Sequence, residues 1–343
     1  MKTDTRDIDK HALAEAINAA YGIDVAELTF MPKGEDAYAY FARSSDGTRH
    51  FVRVQPIGRA PALEEVYRAT RALHEEHGLR QVVAPCTAHH NTFTIDFGPY
   101  IVAVFPFIEG TTLWEQGASD NDVAAAATLL AAVHQCDLQF LPPLATEPFA
   151  NPFAAPIRRA LSVAAAPSAD FTSLQRAACR LLRAEQADIE ATVQRMAQLG
   201  DAARQHTTTR VLTHGDPNLD NFLKDSRGTL HLTDWGEIAI GPPERDLFAF
   251  TGPRFDLFLQ QYVVARGPLA LHVETFAFYF YRWSLQEIAD YATRLLFQQL
   301  GPAEDAHAWA ELQEYLPVQH AKIVQDLEAL QDVCSRHSVH SFV

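Results

Sequence analysis

The hydrophobic pattern changes once along this chain, and that change limits what it can fold into. Before about residue 120, apolar residues alternate or run in short blocks between turn formers; beyond it they recur at helical spacing over long stretches. Residues 9–20 read as an amphipathic helix with Leu13 and Ile17 on one face and Gly22 closing it. Residues 28–31 and 37–43 are strand-like, Ser44-Ser45-Asp46-Gly47 is a turn, and residues 49–55 alternate again, which predicts a hairpin. Residues 62–77 have helical composition and stop at Gly78, and residues 100–108 form an apolar run broken by Glu109-Gly110. In the remainder, residues 122–136 and 173–199 read as helices and the proline-rich stretch 141–168 as an irregular connection. Residues 210–213 and 229–233 are short β segments, and helical patterns continue to the end. The expectation is an α+β fold of two lobes: a small antiparallel sheet in an N-lobe, 1–106, and a mainly helical C-lobe, 107–343, with a cleft between them.

Composition narrows the function. Apolar residues make up 48% of the 343, enough for a sizeable core. With 28 Lys and Arg against 43 Asp and Glu, the chain lacks the clustered cations that nucleic acid requires. An acidic cleft would concentrate a cationic small molecule, although acidity also serves plain solubility. Cys86, Cys136, Cys179 and Cys334 form neither a CxxC pair nor a zinc-like spacing and fit a reducing compartment. The first ten residues are charged and lack an apolar signal core, and no apolar run reaches bilayer length. A cytoplasmic protein is expected, without membrane or nucleic-acid partners, as a monomer or homodimer.

The chemistry concentrates in His214-Gly215-Asp216-Pro217-Asn218-Leu219-Asp220-Asn221, followed by Leu232-Thr233-Asp234-Trp235. Phosphoryl transfer needs one carboxylate to orient the attacking hydroxyl and accept its proton, plus an amide oxygen and a second carboxylate to hold magnesium against the phosphates. An Asp and an Asn five apart in one loop can reach a common point. A further Asp arriving on the return strand, past the turn Ser226-Arg227-Gly228, can meet them. Singly, each has an ordinary reading, as a turn former, a strand-end cap or a loop carboxylate; together, in this order, they point to a kinase.

HGDxxxxN followed by DW resembles the catalytic and metal-binding loops of the aminoglycoside phosphotransferase and choline kinase superfamily, relatives of the protein kinases. The resemblance implies a bilobal, protein-kinase-like fold that uses ATP, with GTP as the alternative, and Mg2+. It makes Asp216 the catalytic base and Asn221 and Asp234 the metal ligands. His214 would support the loop, and Asp246, in Pro243-Glu244-Arg245-Asp246-Leu247, would steady it, a role compatible with a helix N-cap. Glu237 reads as a solvated loop residue or a neighbour of the metal.

On the nucleotide side, Arg53 falls where the family has a lysine, with Glu64 or Glu65 as its helix partner. The planar guanidinium could clamp phosphate oxygens, but the exchange is not conservative and keeps a pseudokinase reading open. Lys33 and Gly34, in the loop Pro32-Lys33-Gly34-Glu35-Asp36, would approach the phosphates from above. In the expected hinge Pro106 lacks an N–H, leaving Phe107 and Ile108 as donors to an adenine. Tyr21-Gly22-Ile23-Asp24 and several scattered segments are similar to spectinomycin phosphotransferases. The implied acceptor is a small, cationic alcohol, an aminocyclitol or aminoglycoside. The aromatic stripe Phe278, Tyr279, Tyr281 and Trp283 with Glu287 and Asp290 suits such a ligand, though core packing explains the aromatics equally. A metabolic kinase for choline, homoserine or a sugar is the alternative.

Overall fold

In the computed structural model the described residues are 3–5, 7–34, 37–57, 60–206, 209–298, 300–337 and 340–342. They form two compact units. The first comprises Met1–Thr146, Val211–Ile240 and Val264–Arg266; the second comprises Glu147–Arg210, Gly241–Val263 and Gly267–Val343. The lobe boundary expected at residues 106 and 107 falls inside the first unit, because the segments on either side of it belong to sheets of that unit.

The first unit opens with α1 (Lys10–Tyr21), capped by the Asp9 carboxylate and closed by Gly22 at φ +67°. A five-stranded antiparallel sheet follows in the order β1-β2-β3-β5-β4. Its strands are β1 (Val25–Met31), β2 (Tyr38–Ser44), β3 (Arg49–Pro56), β4 (Ile95–Phe97) and β5 (Tyr100–Pro106). Register sets Tyr40 opposite Val52 and Val52 opposite Val104, so Tyr40, Val52, Val54, Val102 and Val104 share one face. That face packs with Leu13 and Ile17 of α1, all without appreciable solvent contact. Burying each of these aliphatic side chains contributes about 1.5–3 kcal/mol. Arg53, offset by one residue, stands on the opposite face. There α2 (Ala60–Glu75) sets Tyr67 edge-on against Phe105, ring centroids 5.5 Å apart.

Past the sheet, β6 (Gly110–Thr112) leads into the short helix α3 (Leu113–Gln116) and then α4 (Asp120–His134). When the chain re-enters this unit it forms β7 (Val211–Thr213), β8 (Phe222–Asp225), β9 (Leu230–Leu232) and β10 (Ala239–Gly241). β7 pairs with β10, and β6, β8 and β9 make a three-stranded antiparallel sheet. The return strand is anchored from behind: Leu232 N–H donates to Gln81 O at 2.8 Å, and Val83 N–H to Leu232 O at 3.0 Å.

The second unit is helical: α5 (Ala154–Ala165), α6 (Ser173–Ala184), α7 (Gln186–His206), α8 (Glu244–Leu247) and α9 (Phe255–Arg266) precede β11 (Ala270–His272). α10 (Val273–Phe297), α11 (Pro302–Tyr315), α12 (His320–Arg336) and β12 (His340–Phe342), parallel to β11, complete it. α10 is its axis, with Phe276, Phe278, Tyr279, Leu285, Ile288 and Ala292 buried. Two expectations are corrected. Residues 173–199 are not one helix; the chain turns at Glu185 so that both pieces bury apolar faces, Cys179 and Leu182 in one and Ile189 and Met196 in the other. Residues 141–168 are not wholly irregular, since α5 lies within them; Pro156 occupies its first turn, where no N–H partner is needed. Among the described residues no helix is long and apolar enough to cross a membrane, and all four cysteines are free.

At Gly110 β6 leaves no room for a side chain against β8: a Cβ there would stand 2.5 Å from Lys224 O and 2.9 Å from its carbonyl carbon. The contact is with backbone, which cannot swing away. Gly110→Ala is therefore expected to cost about 1–3 kcal/mol. A drop of several degrees in apparent Tm by calorimetry checks this.

Candidate active site

β7 leads into the loop expected to carry the catalytic base. Its last residue, Thr213, donates through Oγ1 to Ala239 O at 2.8 Å. His214 is fully buried and fixes the next turn from within. Its Nδ1 accepts from the Asp216 N–H at 3.2 Å, so Nε2 carries the proton and donates to Thr233 O at 2.8 Å. The ring stands edge-on to Trp235, centroids 4.6 Å apart. Gly215 has φ +94°, a conformation only glycine adopts freely, and it lets the chain reverse between the buried imidazole and the outward carboxylate. Asn218 Nδ2 then donates to Asp216 Oδ1 at 2.9 Å, while Asn221 Nδ2 donates to Asp216 Oδ2 at 3.2 Å and to its carbonyl at 2.8 Å. Asn218 Oδ1 caps the turn that follows, accepting from Asp220 N–H at 2.8 Å and Asn221 N–H at 3.2 Å. From β6, Thr112 Oγ1 donates to Asp220 Oδ1 at 3.1 Å.

The return segment is sewn to the same loop. Thr233 donates to Asn221 O through both its N–H, at 2.9 Å, and its hydroxyl, at 3.1 Å. The next residue, Asp234, is left-handed at φ 57°, ψ 62°, a conformation an L-residue pays about 1–2 kcal/mol to adopt. Leu232 and Trp235 are buried on either side, and Trp235 Nε1 donates back to Leu232 O at 3.0 Å. The chain must turn this sharply to keep both residues in the core and aim the carboxylate outward. That carboxylate meets Arg53 of β3: Arg53 Nη1 donates to Asp234 Oδ1 in an ion pair.

These neighbours push two carboxyls in opposite directions. Burial raises the Asp216 pKa to about 7, helped by the charges of Asp234 and Glu237, while the amides of Asn218 and Asn221 only partly offset the rise. For Asp234, desolvation alone would act upward, but the charge and hydrogen bond of Arg53, with smaller help from the Gly236 N–H, hold it below its ordinary value. Although enclosed by protein atoms on most sides, its side chain is still 44% exposed, against 20% for Arg53.

The other expected residues are distributed as follows. Glu64, expected to orient Arg53, accepts from Phe93 N–H at 3.0 and 3.1 Å and from Thr94 Oγ1 at 3.2 Å, and pairs with Arg68 at 3.4 Å. Glu65 lies 3.8 Å from Arg68. Lys33 Nζ lies 3.3 Å from Glu115 of α3. Gly34 has φ +83°, and Glu35 and Asp36 lie outside the described residues. In the expected hinge, Phe107 N–H donates to Arg49 O at 3.2 Å. Asp246, Glu287 and Asp290 belong to the second unit. Asp246 is fully buried inside α8 rather than at its N-cap, which is Pro243; on α10, Glu287 is half-buried and Asp290 exposed. Sequence reading missed Asn218 and Thr112. Both carried a signal: an Asn two residues before Asp220, where it can form an Asx turn, and the capping box Thr112-x-x-Glu115.

Among the described residues no three His, Cys, Asp or Glu side chains gather into a preformed metal cage. The donor set instead suits an ion carried mainly by phosphate and water. Asn221 spends its NH2 on Asp216 and keeps its amide oxygen, and Asp234 stays ionised. Magnesium takes such hard oxygens, one or two from protein.

The model of the APH family, described as the phosphotransferase enzyme family, matches residues 27–271. The chain is 30% identical over 301 residues to Protein StrN of Streptomyces griseus, covering 84% of this chain and 86% of that one. Among solved structures it resembles spectinomycin phosphotransferase APH(9)-Ia in complex with ADP and spectinomycin, with a TM-score of 0.76 at 18% identity over 94% of this chain and 99% of that one. It also resembles choline kinase LicA from Streptococcus pneumoniae, with a TM-score of 0.57 at 16% identity over 93% and 99%. These structural likenesses are of fold, and the fold is the α+β, kinase-like one that the sequence predicts. The loop built on Asp216, its amide partners and the returning Asp234 all fall within the matched span, and the chain belongs to the phosphotransferase enzyme family.

Proposed function

We propose that this enzyme transfers the γ-phosphate of ATP to a hydroxyl of a small aminocyclitol or aminoglycoside such as spectinomycin. The observation that carries the reading is the meeting of Asp216, Asn221 and Asp234 in one hydrogen-bonded loop system. Asp216 would orient the acceptor hydroxyl and receive its proton, and a carboxyl whose pKa lies near 7 is a stronger base than a solvent-exposed one. Asn221 and Asp234 would hold Mg2+, which supplies charge neutralisation along the phosphates when bound. Arg53 and Lys33 would contact phosphate oxygens, and Ile108 N–H the base. Similarity in fold to spectinomycin phosphotransferase APH(9)-Ia, solved with ADP and spectinomycin, motivates the acceptor class. A reducing, ATP-rich cytoplasm suits its free cysteines.

The decisive assay follows labelled phosphate from ATP with Mg2+ onto spectinomycin, kanamycin, choline and homoserine. Transfer to spectinomycin supports the reading; transfer to choline or homoserine alone replaces the antibiotic with a metabolite; nucleotide binding without any transfer makes the chain a pseudokinase. Asp216→Asn is expected to lower kcat by about 10²–10⁴, the span typical of a lost general base, while nucleotide binding persists.

The same variant has a thermodynamic signature in the metal- and nucleotide-free protein. A folded-state pKa near 7 lies above the unfolded value, so the folded form prefers protonated Asp216. The stability this contributes is complete below about pH 4 and is lost as pH rises through about 7. Asp216→Asn removes that loss. Its apparent Tm should exceed wild type at pH 8 and match it near pH 4, as scanning calorimetry at both values would show.

Arg53 competes with the metal for Asp234 yet serves the phosphates. Arg53→Met is therefore expected to tighten Mn2+ binding in the absence of nucleotide, read by EPR. The same variant should weaken ATP binding by about tenfold or more, the loss of one charge-assisted phosphate contact.

A further inference from the structure

Trp114 is 70% exposed, although its helix is tightly fixed. Thr112 caps α3 by accepting from Glu115 N–H at 3.1 Å, and Glu115 returns the bond by accepting from Thr112 N–H at 3.2 Å. The Thr112 hydroxyl also reaches Asp220, which is joined through Asn218 to Asp216. The remaining oxygen of Glu115 takes Lys33. The indole thus projects into solvent from a helix pinned on one side to the loop of the base and on the other to the loop expected to meet the phosphates. The backbone around it is held as a recognition element requires, and the packing of the unit does not use the ring.

We propose that Trp114 and Glu115 form a recognition site for an ammonium-bearing ring of the acceptor, and that nucleotide binding uncovers it by drawing Lys33 away from Glu115. This rests on the kinase reading above. An exposed indole and a carboxylate on successive residues of one short helix can hold a ligand that spans them, its cationic groups meeting the π cloud and the charge. The Thr112 N–H, and then Lys33, hold the Glu115 carboxyl below its ordinary range, so it is an anion at neutral pH. In the nucleotide-free chain that anion is already neutralised. The Lys33–Glu115 pair is weak, its side chains 53% and 46% exposed, and a triphosphate carries several charges to compete for the lysine. Once Lys33 turns to the phosphates, Glu115 is open to a cation beside Trp114. Acceptor affinity therefore rises after nucleotide binds, which orders the two substrates without a large rearrangement.

The test compares wild type, Trp114→Ala and Glu115→Gln. Glutamine serves equally in a capping box, so Glu115→Gln keeps α3 and removes only the charge. Steady-state kinetics on spectinomycin and kanamycin should show the acceptor KM raised about tenfold in each variant, as expected for one lost cation contact, with kcat and the KM for ATP changed by less than about threefold. Calorimetric titration of spectinomycin should show wild type binding more tightly when AMP-PNP and Mg2+ are present, and that difference should be levelled in Glu115→Gln. If wild type phosphorylates a cationic acceptor while both variants keep its KM, the inference is overturned and the kinase assignment stands. Transfer only to a neutral alcohol has the same meaning. If wild type transfers phosphate to nothing, the function proposed above falls; equal spectinomycin affinity in all three proteins would then overturn the inference independently.

Discussion

The Arg53–Asp234 ion pair joins positions 181 residues apart and sets the electrical state of the site. β3 brings the guanidinium to the face of the sheet away from α1, and the left-handed turn after β9 brings the carboxylate. With these exposures the pair adds only about 1 kcal/mol or less to stability. Its importance is electrostatic: it keeps Asp234 ionised while Asp216, close by, is pushed toward neutrality. Two carboxyls with opposite environments can hold different roles at one pH, one as a fixed anion and the other as a proton acceptor.

The loop around Asp216 has little freedom. His214 fixes the backbone N–H on one side, and the amides of Asn218 and Asn221 fix the carboxylate on the other. Thr233 then ties Asn221 to the strand that carries Asp234, so displacement of one group strains the next. Such bonds are made before any ligand arrives, as the proposed chemistry requires of a preorganised site.

The sequence disclosed those parts that depend on local chemistry. The Asp9 cap and Gly22 stop bound α1, alternation along residues 49–55 separates Arg53 from Val52 and Val54, and the spacing from Asp216 to Asn221 marks the turn that joins them. Long-range choices were hidden. Nothing near Arg53 tells that it pairs with Asp234, 181 residues on, or that Glu64 also serves Phe93 and Thr94, about thirty residues on. Nor do the strong helix formers around Glu185 carry a break signal; the break comes from packing on α10, which outweighs propensity. The exposure of Trp114 was equally invisible, since an aromatic beside Leu113 reads like core until burial is known.

The three-stranded sheet has a consequence for how the molecule is made. β6 is synthesised early, but its partners β8 and β9 lie beyond α5, α6 and α7, all three of which belong to the other unit. On the ribosome the first unit cannot close its sheet, nor gain the backing that Gln81 and Val83 give Leu232, until that whole helical stretch has emerged. Until then the open edge of β6 must wait unpaired. The site is thus assembled late, by a chain that leaves its first unit and comes back to finish it.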